Sequence, residues 1–158
     1  PPPLPTRPSP EPPGSDGLRQ APTDAVLNAN YRRAKLQDVM SVSFDGMCMH
    51  EVLFDDHFLK DTGVSTLDFA KAMIDEGFHP MTMYFPLVVH GALLMEPTES
   101  ESKETLDLYI ETLRGLNERA QSGDAQFFKD APVLTPRRRL DETAAARKPV
   151  LRWTPPAQ

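Results

Sequence analysis

Cysteine is almost missing from the 158 residues. Cys48 stands alone, which excludes an internal disulfide and any four-cysteine metal site, and points to a reducing, cytosol-like compartment. Long apolar runs are missing too. None approaches the roughly 20 residues that a bilayer span needs, and residues 1–20 lack the apolar heart of a signal peptide, so no membrane partner and a cytoplasmic location are expected. There is no glycine-rich phosphate loop, no HExxH helix and no GxSxG elbow, so motif alone announces no enzyme. Positive charge is in deficit. A net charge of −6 argues against general attraction to nucleic acid or to an anionic membrane.

Proline is the exception in a chain otherwise 39% apolar and 25% charged, the composition of an ordinary globular protein. The seventeen prolines gather at the ends, eight of them within residues 1–13, where they suit an extended, disordered head rather than a packed element. The length suits one domain of about 100–150 residues. A proline-rich head over residues 1–20, a small domain over 21–130 and an extended basic tail over 131–158 follow. In that tail Arg137, Arg138, Arg139, Arg147, Lys148 and Arg152 face only Asp141 and Glu142. Such a cluster can bind phosphate backbones, but more often it solvates a surface or meets an acidic face of a partner chain, so nucleic acid is not expected.

Local patterns divide the middle into elements. Thr23 reads as a helix cap, with Val26, Ala29, Asn30, Arg33 and Leu27, Tyr31, Ala34 at helical spacing behind it. The run MCMHEVLF suits a buried strand. Ser65 and Asp68 form a capping box ahead of Leu67, Ala70, Met73 and Ile74, and Gly77 ends that helix. His79-Pro80 and Phe85-Pro86 bracket an extended segment, GALLM reads as a second strand, and Thr98 with Glu101 suggests a capping box for a helix carrying Leu106, Ile110, Leu113 and Leu116. A helical turn fits Glu142 to Ala146. The fold class expected is α/β (α+β), a small two-layer sandwich with helices on one face of a short sheet, whose other face needs a cover.

Few residues stand out as chemistry. His79 sits on a turn between Gly77 and Pro80, where side chains are presented rather than packed. Glu96 follows a predicted strand, whereas Glu99, Glu101 and Glu104 are accounted for by a helix start that favours carboxylates. No pair among His50, His57, His79 and His90 shares a helical face at i and i+4, so no metal site is expected. Cys48 reads as a buried, inert thiol, and Met47, Met49, Met81, Met83 and Met95 as core packing.

Taken together, AVLNANY, the His50-Glu51 pair, DFAKAMIDEGFHPMTMYFP, HGALLMEPTESESKETLD and RRLDETAAARKPVLRW are similar, in the same order, to the C-terminal part of the P-protein family of the glycine cleavage system. The form it most resembles is subunit 2 of the two-subunit bacterial enzyme. That resemblance implies the small C-terminal domain of a fold type I pyridoxal-phosphate enzyme, glycine dehydrogenase (decarboxylating). Within the family the enzyme decarboxylates glycine and passes the aminomethyl group to the lipoyl arm of the H-protein, with the cofactor ring as electron sink. The cofactor lysine of the family lies in a glycine-rich large-domain segment. None of Lys35, Lys60, Lys71, Lys103, Lys129 and Lys148 has that setting, so the chain is expected to be a piece, inactive and without cofactor by itself. Its implied partners are the remaining large domain, subunit 1 and the H-protein. His79, Thr82 and Glu96 lie in stretches that would face the domain boundary, and they are the candidate site residues. Met81 departs from the family's usual proline, and the proline-rich head departs entirely. A non-catalytic α/β interaction module is the alternative.

Overall fold

The computed structural model describes residues 14–155, so residues 1–13 of the head expected over residues 1–20 lie outside the described residues, while residues 15–20 of that head are not disordered chain but the first turns of a helix. The longest helix, α1 (Ser15–Leu36), begins eight residues ahead of Thr23. Thr23 is no cap: its hydroxyl donates to the Arg19 carbonyl (2.9 Å) one turn back. Pro22 lies inside this helix, where it removes one backbone donor without ending the element.

Three short strands form an antiparallel sheet in the order β1-β3-β2, with β1 at Val52–Phe54, β2 at Thr82–Met83 and β3 at Leu93–Met95. The register pairs Leu53 with Leu94 and Thr82 with Leu94, so these three share one face of the pleat. Val52, Phe54, Leu93 and Met95 occupy the other face and are buried. The structure is thus an α+β domain. The MCMHEVLF run is mostly not strand: only its last three residues pair, because the partner β3 is itself three residues long.

Helix α2 (Thr66–Asp75) carries the expected capping box, Ser65 accepting from the Asp68 amide while Asp68 accepts from the Ser65 amide. Gly77 follows in the left-handed region (φ 85°), which turns the chain away. Helix α3 (Lys103–Gln121) is capped by Ser102, whose hydroxyl accepts from the Thr105 amide (3.1 Å). Thr98 and Glu101 are therefore not its capping box. Glu99 and Glu101 precede the helix, leaving only Glu104 in its first turn.

Phe69 of α2 is the centre of the core. It stacks on Phe128 (6.0 Å between centroids) from a short helix, α4 (Ala125–Asp130), and Phe58 meets it edge-on at 5.5 Å. No periodicity in the sequence announced α4. The chain beyond it is tied down by Asp75, which accepts from the Val133 and Leu134 amides, and by Arg139, which donates to the Phe128 and Ala131 carbonyls and pairs with Asp68. A last helix, α5 (Glu142–Arg147), stands where the helical turn was expected and buries nothing. No helix among the described residues is long and apolar enough to cross a membrane.

Candidate functional site

His79, Thr82 and Glu96 come together on one cleft of about 350 Å³. Each arrives by a different local device. Gly77 ends α2 and delivers His79 on the exposed turn before Pro80; β2 presents Thr82 on the outer face of the sheet; and Glu96 directly follows β3. The Glu96 carboxylate lies 3.5 Å from His50 Nε2.

The floor of the cleft is a layered stack that the sequence did not suggest. Phe78 meets Tyr109 edge-on (5.2 Å, 89°), and the Arg32 guanidinium lies 4.2 Å from the Tyr109 ring centroid. Burial pushes the Tyr109 hydroxyl up to about 12 against the opposing pull of Arg32, so it stays protonated. Arg32 is only 7% exposed, and burial holds its pKa below the usual value against the opposing pull of Tyr109 and Glu101. Its Nε has no hydrogen-bond partner. The signal was available: Ala29, Arg32 and Leu36 recur at three and four residues, which places an arginine on the buried stripe of α1.

A second cleft adjoins the first and shares Leu94 with it. Leu53, Leu94 and Pro86 form its base, and Phe44, Met47 and Met49 its wall. Met47 (85% exposed) and Met49 (72%) are not core residues, contrary to the reading from the sequence; Met81 and Met95 are buried. The wall is held open by Asn30, whose side chain donates to the Cys48 carbonyl (2.8 Å) and accepts from the Cys48 amide (2.9 Å). This clamp leaves Cys48 half-buried rather than in the core, and burial pushes its thiol up.

Two further histidines are engaged elsewhere. His57 pairs with Asp55 (2.8 Å) and His90 with Asp56 (2.9 Å), and among the described residues no three His, Cys, Asp or Glu gather as a metal site. No lysine lines the cleft. The residues present therefore do not fit pyridoxal phosphate by themselves, since nothing in the cleft could hold its aldehyde as a Schiff base.

The family model described as "Glycine dehydrogenase, C-terminal domain" matches residues 21–134. Curated relatives of the chain carry the name "Probable glycine dehydrogenase (decarboxylating) subunit 2". That of Caulobacter vibrioides is 68% identical over 145 residues, that of Kosmotoga olearia 48% over 146 and that of Caldanaerobacter subterraneus 51% over 141. These matches cover 91%, 92% and 89% of the chain but only 28%, 30% and 29% of the respective relatives.

Proposed function

Because this chain belongs to the glycine dehydrogenase C-terminal domain family, as the resemblance implied, we propose that it acts as one wall of a glycine-decarboxylating site completed by the rest of that enzyme. The reaction is the conversion of glycine to carbon dioxide with transfer of the aminomethyl group to the lipoyl arm of the H-protein, in the cytoplasm. The remaining large domain, a fold type I unit, supplies the lysine that holds pyridoxal phosphate, and subunit 1 completes the assembly. His79, Thr82 and Glu96 are the residues this chain contributes at the domain boundary.

One observation carries this reading. The cleft bearing the three candidates adjoins a second cleft on the outer sheet face, where Leu53 and Leu94 are half-buried, with Leu94 common to both. Phe44, Met47 and Met49 of that second cleft, and Phe85, Leu87 and Val88 next to its Pro86 in the chain, are each more than half exposed. A small domain does not leave so many large apolar groups in water without a neighbour to cover them. A large domain seated there would roof the cleft and exclude water from it.

The test is co-expression of the 158-residue chain with the complementary part of a subunit 2 and with subunit 1. The assembled proteins are expected to bind pyridoxal phosphate and to decarboxylate glycine, and the chain alone to do neither. A stoichiometric internal aldimine or glycine turnover on the chain alone would overturn the proposal. Stable association without restored activity would leave the interaction module instead.

A further inference from the structure

We propose that the cleft between α1, β2 and α3 binds a carboxylate, with the guanidinium of Arg32 as its cationic partner. The chemistry stands on this chain's own residues; only the identity of whatever presents the carboxylate rests on the function proposed above.

Arg32 is the anomaly from which this follows. It is more than nine-tenths buried, on the inward stripe of α1, and a buried cation is costly unless it is paired. Arg33 also has an Nε without a partner, but its Nη1 donates to Gln37 (3.1 Å), and two further arginines are fully engaged. Arg114 holds the Lys35 carbonyl and both oxygens of Asp38, and Arg139 holds two carbonyls and Asp68. Among the described residues Arg32 forms no ion pair, and its Nε has no hydrogen-bond partner. The Tyr109 ring covers one face of the guanidinium and attracts its charge, but offers no in-plane acceptor. The guanidinium is thus stacked on Tyr109, with its Nε unpartnered, beside a cleft that Arg32 itself lines.

The rest of the lining selects the anion. Glu96 and Glu101 also line the cleft, so a doubly charged phosphate would meet two carboxylates with one guanidinium to offset them. A monoanionic carboxylate, planar and taken by two parallel N–H donors, suits a single arginine better. Two sources share this chemistry: a small carboxylate from solution, or an acidic side chain of the domain that covers the sheet.

The experiment begins with the 158-residue chain alone, titrated with acetate and, separately, with inorganic phosphate, while the Arg32 Nε–H and Tyr109 ring signals are followed by NMR. Saturable acetate binding is expected, with phosphate weaker, and Arg32→Met should weaken acetate by about tenfold or more, the worth of a charged hydrogen-bonding partner. Should that variant fail to fold, Arg32→Lys keeps the charge without the fork and is expected to weaken binding, while Glu101→Gln is expected to tighten it. In the assembled enzyme, a solution source predicts that Arg32→Met raises KM for glycine more than it lowers kcat. A partner's side chain predicts weaker assembly at unchanged KM, with acetate excluded. Acetate responses equal in the native chain and Arg32→Met, together with unchanged assembly and KM, would overturn the inference. Failure to assemble at all would tell against the proposed function alone, because the acetate titration needs no partner.

Discussion

Asp68 serves two elements with one carboxylate. Its Oδ2 accepts from the Ser65 amide (3.0 Å) and hydroxyl (2.6 Å) to start α2, while Oδ1 accepts from Arg139 (2.7 Å) and so ties the basic tail to the core. Partial burial pushes its pKa up, but the hydrogen bonds from Ser65 and the charge of Arg139 win and hold it below the usual 3.8. A carboxylate lowered in the folded state contributes stability that is fully present above its unfolded pKa and is lost as pH falls through the lowered native value. Asp68→Asn is therefore expected to cost about 1–2 kcal/mol near pH 7, as loss of a capping partner and an ion pair does. It should also flatten the acid limb of a plot of melting temperature against pH; a limb as steep as in the native chain would refute the assignment. Half of this residue was legible. The spacing Ser65 to Asp68 announced the cap, but Arg139 is remote in sequence, and a contact of that separation leaves no local pattern.

At the scale of elements, Asn30 explains why the strand expected over residues 47–54 is mostly a loop. Its amide does for Cys48 what a neighbouring strand would do, satisfying both the N–H and the C=O of one residue from the side of α1. A third contact, from Nδ2 to the Val26 carbonyl (2.8 Å), fixes the rotamer. The loop thereby presents Met47 and Met49 outward. Apolar residues in an unbroken run cannot reveal this, since a strand in a core and a loop on a docking face both read as apolar. Helices with strong amphipathic stripes were legible to within a few residues, as α2 and α3 show; the start of α3 slipped because three successive hydroxyl-bearing residues, Thr98, Ser100 and Ser102, compete as caps and only the last one bonds a helical amide. Asn30→Ala leaves both polar groups of Cys48 without their partner, at about 1–3 kcal/mol. Amide exchange of Cys48 is expected to accelerate ahead of the core amides of α3; unchanged protection there would refute the clamp.

At the scale of the whole domain, Phe44, Met47, Met49, Leu87 and Val88 leave apolar surface in water. An open sheet face was expected from a few strands with helices on one side. Which residues line that face was not legible, because it depends on the outward parity of Leu53, Thr82 and Leu94 and on loops whose exposure no period encodes. The cleft followed the same rule: His79, Thr82 and Glu96 were candidates through the family resemblance and all line it, whereas Arg32 came into view only with the packing of α1 on α3. If the outer face is where the rest of the enzyme sits, then residues that touch nothing in this chain should matter only to assembly. Met47 and Leu87 are 85% and 89% exposed, so Met47→Ser with Leu87→Ser should change the melting temperature of the chain little, a surface change being worth within about 0.5 kcal/mol. Against the complementary part of subunit 2 the same pair removes two apolar contacts, each worth about 1–1.5 kcal/mol when half covered. Affinity measured by sedimentation should then fall by about 30-fold or more. Equal affinity for the double variant and the native chain would move the interface off this face, and with it the roof proposed for the cleft.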